Sequence, residues 1–273
     1  MAFMHKFICT LSLVLLATPA LAGATPWQDV VPSVRLRLIA NDIRAPDGSM
    51  LAGLELDMPQ NFTTYWRLPG ESGIPTEFDI AGSSGVATPS IQWPYPTPEV
   101  TNGFLDYVYH GATVLPVLLT VTGEAPSLKV AVTMGVCSNI CVPVRASFSL
   151  PLSPQTPDVA EDIRLKQALA LAPVAWKGGT APFASAAIDA KSGALTLTGL
   201  DPAIDPASVI ASTADPTVIF DAPQKSPDNR SILLPLRGAS VTTGWAATPI
   251  QLTFMTAMGS FEVSERVTAS AAP

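Results

Sequence analysis

Two cysteines carry the most reactive side chains in this chain. They lie four positions apart in Gly135-Val136-Cys137-Ser138-Asn139-Ile140-Cys141-Val142-Pro143. Such a pair can cycle between dithiol and disulfide, trading two electrons with the thiols of a partner. It can also be a permanent staple. Closing so short a loop removes little chain entropy, worth about 2 kcal/mol in the loop-closure model, so a chain with an ordinary core does not need it. His110 is the one histidine beyond the first few residues, so no Ser–His–Asp arrangement can be built. With the two thiols it makes three candidate metal ligands, one short of a structural zinc site. A copper(I) site of the thiols with His110 and Met134 would suit soft sulfur ligands, but Met134 alternates onto the core side. A lone histidine beside tyrosines reads more simply as a strand-end packing residue. No cofactor or resident metal is expected.

The flanking residues show what must position the thiols. Leu128, Val130, Val132, Met134 and Val136 take alternate places before the pair, and Val142, Val144, Ala146, Phe148 and Leu150 after it. Period two means two strands, each with one apolar face. Both cysteines fall on the polar face, at the tip of a hairpin closed by Ser138-Asn139-Ile140. Asn139 suits the left-handed position of such a loop. Facing residues there sit about 4.5–5.5 Å apart at Cα, inside the roughly 4.4–6.8 Å a disulfide accepts. The sulfurs are expected to face outward. Arg145 lies further along the strand and is expected to be solvated. No Lys, Arg or His adjoins either thiol, so the sequence gives no reason for a lowered thiol pKa.

The first residues bound the compartment. His5 and Lys6, an apolar run from Leu11 to Ala17, and Ala20-Leu21-Ala22 read as a cleaved secretory signal over residues 1–22. Cys9 leaves with it. No later apolar run reaches the roughly 18 residues needed to span a bilayer. The expected mature protein is therefore exported to a periplasm, where disulfides persist, and does not itself span a membrane. Its 14 Lys and Arg (15 less Lys6) against 22 acids leave a formal charge of −8, which does not suggest a nucleic-acid binder. The 27 prolines disfavour long helices and favour short strands with loops.

Taken in order, strands are expected at Val34–Ala40, Met50–Met58, Phe62–Arg67, Phe78–Ile80, Ile91–Trp93, Tyr107–His110 and Thr113–Thr122, followed by the cysteine hairpin. Leu68–Pro75 reads as a loop. This spacing gives an antiparallel sandwich over residues 23–152. A linker with one helix, Asp158 to Ala172, capped by Asp158 and stopped by Pro173, occupies residues 153–172. Residues 173–273 read as a second, smaller β-sandwich, with strands at Ala194–Leu200, Thr217–Phe220, Ser231–Leu236, Ile250–Met255 and Phe261–Val267 and a frayed tail from Thr268. The fold class is mainly β: two immunoglobulin-like antiparallel β-sandwich domains joined by a short linker helix.

The motif Gly135-x-Cys137-x3-Cys141-x-Pro143, preceded by Tyr109 and Val114-Leu115-Pro116-Val117, resembles the amino-terminal periplasmic domain of the thiol:disulfide interchange protein DsbD. Tyr65-Trp66-Arg67-Leu68-Pro69-Gly70-Glu71-Ser72-Gly73 resembles the related ScsB-type reductases, which are associated with copper tolerance. The likeness covers roughly Val34 to Leu152, with weaker likeness in the second half. It implies an immunoglobulin-like fold and a cysteine pair that takes electrons from a transmembrane reductase and hands them to periplasmic thioredoxin-like or substrate proteins. It also implies Cys141 as the partner-facing sulfur and Cys137 as the resolving one. A cap loop near Glu99–Phe104, Gly103 included, would shield the pair, with Phe104 as the lid, and Tyr65, Trp66 and Trp93 could line the groove or serve as core aromatics. The three residues between the cysteines are fewer than in the DsbD domain. The membrane and thioredoxin-like modules are missing from the sequence, so the donor is expected on a separate chain. The competing expectation is a non-catalytic binding or assembly module, with copper handling as one version, and a structural disulfide.

Overall fold

The computed structural model describes residues 23–152, 157–189, 191–237 and 249–270. The signal segment, Cys9 and most of the Ser153–Pro157 linker lie outside the described residues.

The first sandwich is two sheets built from alternating strands. One runs β1-β2-β3-β9-β6, from β1 (Gln28–Val31), β2 (Val34–Ala40), β3 (Ser49–Asp57), β6 (Val86–Ile91) and β9 (Thr113–Val121). The other runs β11-β10-β4-β8-β7, from β4 (Thr63–Gly70), β7 (Thr97–Thr101), β8 (Phe104–His110), β10 (Ser127–Cys137) and β11 (Cys141–Pro151), with β5 (Glu77–Asp79) added beside β10. The apolar faces meet between the sheets. Leu36, Leu38, Leu54, Leu56, Leu115 and Leu119 come from one side, and Leu128, Val130, Val132, Met134, Val136, Val144 and Phe148 from the other. Burying each such side chain contributes roughly 1.5–3 kcal/mol. The alternation read from the sequence therefore sets which face is core.

Helix α1 (Val159–Leu169) begins where Asp158 accepts a hydrogen bond from the Glu161 amide, 3.0 Å, satisfying one of its free N–H groups. It is more than a linker. Leu165 is fully buried with Ile39 and Leu51 on the outer face of the β2–β3–β9 sheet. Gly53 admits it: a Cβ there would sit 2.6 Å from Leu165 Cδ2. Arg37 bridges Glu55 and Glu161, tying helix to sheet.

The second sandwich has its own core. One sheet runs β12-β21-β20-β15, from β12 (Val174–Ala175), β15 (Ile210–Ser212), β20 (Ile250–Thr256) and β21 (Gly259–Glu265). The other runs β17-β18-β14-β13-β22, from β13 (Ser185–Asp189), β14 (Leu195–Thr198), β17 (Gln224–Lys225), β18 (Ser231–Leu234) and β22 (Thr268–Ser270). A small ribbon pairs β16 (Ile219–Phe220) with β19 (Leu236–Arg237). Two pairings, β12 with β21 and β13 with β22, are parallel additions to an otherwise antiparallel plan. Thr268–Ser270 is therefore a paired strand, where fraying was expected from Thr268: its backbone bonds the open edge of β13.

The sandwiches meet through polar anchors around apolar contact. Ile210 and Ile219 of the second pack with the first core. Arg67 pairs with Glu262 at 3.0 Å and donates to Thr253 Oγ1 at 3.0 Å. The Tyr95 hydroxyl donates to the Ser208 carbonyl. No helix among the described residues is long and apolar enough to cross a membrane.

Candidate functional site

Strands β10 and β11 pair in unbroken register from Ser127↔Pro151 to Cys137↔Cys141. The two sulfurs are bonded, with Cα atoms 4.0 Å apart. That is closer than the spacing expected from the hairpin, because the pair closes the ladder directly onto a three-residue loop, where Ser138 N–H donates to Ile140 O. The left-handed asparagines are Asn102 and Asn229; Asn139 is not one of them. Pro143 pairs with Gly135 on an outer strand of the sheet, where a missing N–H costs no ladder bond on the free side.

The expected outward face of both sulfurs holds for one. Cys141 is exposed, whereas Cys137 is 5% exposed. Alternation alone misses this because Gly70–Thr76 folds over the polar end of β10. Tyr65, Val108, Cys137 and Ile74 make a small second core there, on the opposite side of the sheet from the main one.

Glycines carve the place for Tyr65. A Cβ on Gly135 would lie 2.8 Å from Tyr65 Cε2, and one on Gly73 would lie 2.7 Å from Tyr65 Cδ1. Held between them, the phenol oxygen lies 2.9 Å from Cys137 Sγ and 3.2 Å from Cys141 Sγ. Disulfide sulfurs carry no proton, so the phenol O–H is the donor. Burial and the nearby Asp106 carboxylate raise the Tyr65 pKa, outweighing its contact with Ser72, so the donor proton stays in place. Asp106, itself buried, accepts from the Ser72 amide at 2.9 Å and from the Ser72 hydroxyl.

The expected cap is a hairpin, β7–β8. Thr101 faces Phe104 across a two-residue turn, Asn102-Gly103, whose φ values of 54° and 87° are the turn that matches strand twist. His110 Nε2 pairs with Glu99 at 2.8 Å, bracing the far end of the same hairpin. A cavity of about 560 Å³ opens between cap and cysteines. Tyr65, Ser72, Phe104, Ile140, Cys137 and Cys141 are among its lining residues. Phe104 is 51% exposed and Ile140 73% exposed.

The structure thus gathers Cys137, Cys141, Tyr65 and Phe104 on one cavity, with Gly103 at the cap turn. It does not bring Trp66. Alternation sends Trp66 to the opposite face, fully buried against Tyr107 at 5.8 Å between ring centroids, with Arg67 over its ring. Trp93 likewise packs on the main core. Met134 is fully buried in that core, and no group of three or more His, Cys, Asp or Glu residues gathers among the described residues. Sequence reasoning missed Ser72 and Asp106. Their signals were a serine and two glycines within four residues, Gly70 to Gly73, and an aspartate inside an apolar strand, Leu105-Asp106-Tyr107. The expected loop at Leu68–Pro75 begins late, since β4 continues through Gly70 past a register shift to meet Asp106.

Comparison with known proteins places this geometry. The family model described as "Thiol:disulfide interchange protein DsbD, N-terminal" matches residues 37–153. Among solved structures, the N-terminal periplasmic domain of ScsB from Proteus mirabilis superposes with a TM-score of 0.69 at 20% identity, covering 90% of this chain and 98% of that one. A titin I-band fragment, I67–I69, aligns at 10% identity over 81% of this chain and 59% of its own, but its TM-score of 0.19 carries no argument. No curated protein sequence matches the chain. The cysteine hairpin, its cap and the sheets that hold them lie inside the matched residues, so the first sandwich is an amino-terminal domain of the DsbD thiol–disulfide interchange family, built on the ScsB-like fold.

Proposed function

We propose that this protein is a periplasmic dithiol–disulfide electron carrier, reduced by a membrane-embedded thiol–disulfide reductase and oxidised by periplasmic partners. The observation that supports it is the asymmetry of the pair: one sulfur exposed on an open cavity, the other buried, and one phenol donor in reach of both.

The asymmetry supports a division of roles. In the reduced protein the exposed Cys141 thiolate attacks a partner disulfide, forms the mixed disulfide and releases one partner thiolate. Cys137, already beneath it, then attacks Cys141 Sγ. That step restores the Cys137–Cys141 bond and releases the second partner thiolate. Two electrons pass to the partner, and protons from solvent complete its two thiols. Reduction by the donor is the same sequence reversed. The Tyr65 O–H donates to whichever sulfur carries charge, which favours the thiolate without an adjacent cation. Phe104 on the cap limits which thiols reach Cys141. Export by a cleaved signal, and delivery to thioredoxin-like proteins, complete the reading.

The decisive measurement is the reduction potential of the pair in the purified mature protein. We expect a value between about −270 and −120 mV, the range of exchange proteins. A value well below about −300 mV identifies a structural bond and removes the carrier reading.

A further inference from the structure

Nothing in the exchange reading uses the second sandwich, yet one of its side chains grips the cap. Arg237, at the end of β19, donates from Nε to Glu71 Oε2 at 2.8 Å and from one terminal nitrogen to Asp221 Oδ2 at 2.9 Å. Its other terminal nitrogen donates to the carbonyl of Gly103, in the cap turn. Glu71 is itself bonded to the cap strand one residue beyond the pair that closes the turn. Its carboxylate accepts from the Leu105 amide at 2.7 Å, and its own amide donates to the Leu105 carbonyl at 2.9 Å. One guanidinium fork thus joins the second sandwich to the cap turn and, through Glu71, to the strand residue beside that turn. Such a fork is rigid and always charged, and suits carboxylate and carbonyl acceptors held at fixed angles.

The grip comes from outside the cavity. No described residue of the second sandwich lines it; the lining comes from the first sandwich alone. Across that cavity, Phe104 on the cap and Ile140 on the cysteine hairpin both remain largely exposed. Apolar groups facing each other across water are driven together by the area they would bury. Something must hold the cap off.

We infer that Arg237 is a positioning residue through which the second sandwich holds the cap hairpin away from the Cys137–Cys141 disulfide, keeping Cys141 open to a partner thiol. The inference deepens the exchange reading and rests on it. Without Arg237 the cap settles, Phe104 covers the cysteine hairpin, and attack on Cys141 slows.

The test is the rate of reduction of the oxidised full mature chain by dithiothreitol, followed by acid quench and mass. Each dithiothreitol gives two electrons and two protons and becomes its cyclic disulfide, while the protein gains two thiols. Arg237→Ala should slow the reaction at least fivefold. Arg237→Lys, which keeps the charge but not the fork, should fall between. Glu71→Gln can still accept from Leu105 but loses its ion pair, so it should also slow the reaction, and it carries the test if Arg237→Ala does not fold. Adding Phe104→Ala to Arg237→Ala or to Glu71→Gln should restore the rate, which a general loss of stability would not allow. Rates within twofold of the parent, faster rates, or a slowing that Phe104→Ala does not reverse would each overturn the tether. A disulfide too stable to exchange at equilibrium would instead remove the carrier reading while leaving these rate ratios measurable.

Discussion

The two sandwiches share a plan and differ in what interrupts it. The second is packed by rings: Trp176 meets Phe261 at 5.2 Å, and Phe183 meets Phe254 at 5.4 Å, both edge to face. The first has a main core of mostly aliphatic side chains around Trp66, Tyr107, Tyr109 and Phe148, and then, at one end of one sheet, a set of exceptions. A cysteine and a tyrosine are buried on the side that should be polar, an aspartate is buried beneath them, and two glycines stand where any side chain would collide with the tyrosine. The regular sandwich supplies rigidity; the exceptions supply chemistry. Reactive geometry here comes from space left empty at chosen positions of the first sandwich.

The largest effect that sharpens this contrast is on exchange. Cys141→Ser should abolish turnover with any partner disulfide while costing about 2 kcal/mol or less in stability, because the loop it closes is short. A partner reduced at the parent rate by this variant would remove Cys141 from its role. The converse belongs to the second sandwich. Phe254→Ala, at a side chain with no exposed surface and in ring contact with Trp176, Phe183 and Phe261, should cost roughly 3–5 kcal/mol in urea unfolding. It should leave the reduction potential where it was. A shifted potential would mean that the two regions are coupled beyond the cap tether.

A matched pair of glycines tests the carving directly. Gly135→Ala should cost about 1–3 kcal/mol by overpacking and should push Tyr65 off the sulfurs, slowing exchange more than the lost stability explains. Gly179→Ala, where a Cβ meets nothing within 4 Å, should change stability by no more than about 0.5 kcal/mol. Equal costs at the two positions would show that the close approach around Tyr65 relaxes freely.

How much of this could be read beforehand follows from which forces act locally. Strand pairing, hairpin tip and core face were legible, because alternation over eleven residues such as Ser127–Cys137 leaves one register that buries Val130, Val132 and Met134 together. The cap was legible only through family likeness, although Asn102-Gly103 is itself a hairpin turn signal. The covering of Cys137 was not legible. It depends on Gly70–Thr76 folding back from a different strand, a contact spanning more than sixty residues from Tyr65 to Cys137. Trp66 went astray for a simpler reason: adjacent strand residues face opposite ways, so Tyr65 and Trp66 could not both line one groove. Arg237 stands 134 residues from the carbonyl it holds, and nothing local marks it.

Alkaline pH offers the smallest and most selective test, because every tyrosine lies in the first sandwich: Tyr65, Tyr95, Tyr107 and Tyr109. Burial raises the pKa of Tyr107 and Tyr109 far above the ordinary value of 10.0. A folded-state pKa raised in this way gives stability that is complete below the unfolded value and is lost as pH rises above it, since only the unfolded chain can release the proton. At pH 11 each such tyrosine forfeits about 1.4 kcal/mol. Tyr109→Phe removes one of these losses, and also a hydrogen bond to the Pro94 carbonyl of 2.7 Å, worth about 1 kcal/mol. The variant should therefore be the less stable protein at pH 8 and should draw level with the parent at pH 11 in urea titrations. Phe254→Ala has no tyrosine to lose and should fall in parallel with the parent across the same range. A gap between Tyr109→Phe and the parent that stayed constant from pH 8 to 11 would mean that the Tyr109 hydroxyl meets solvent in the folded protein, and that the first sandwich is looser at its polar end than its packing indicates.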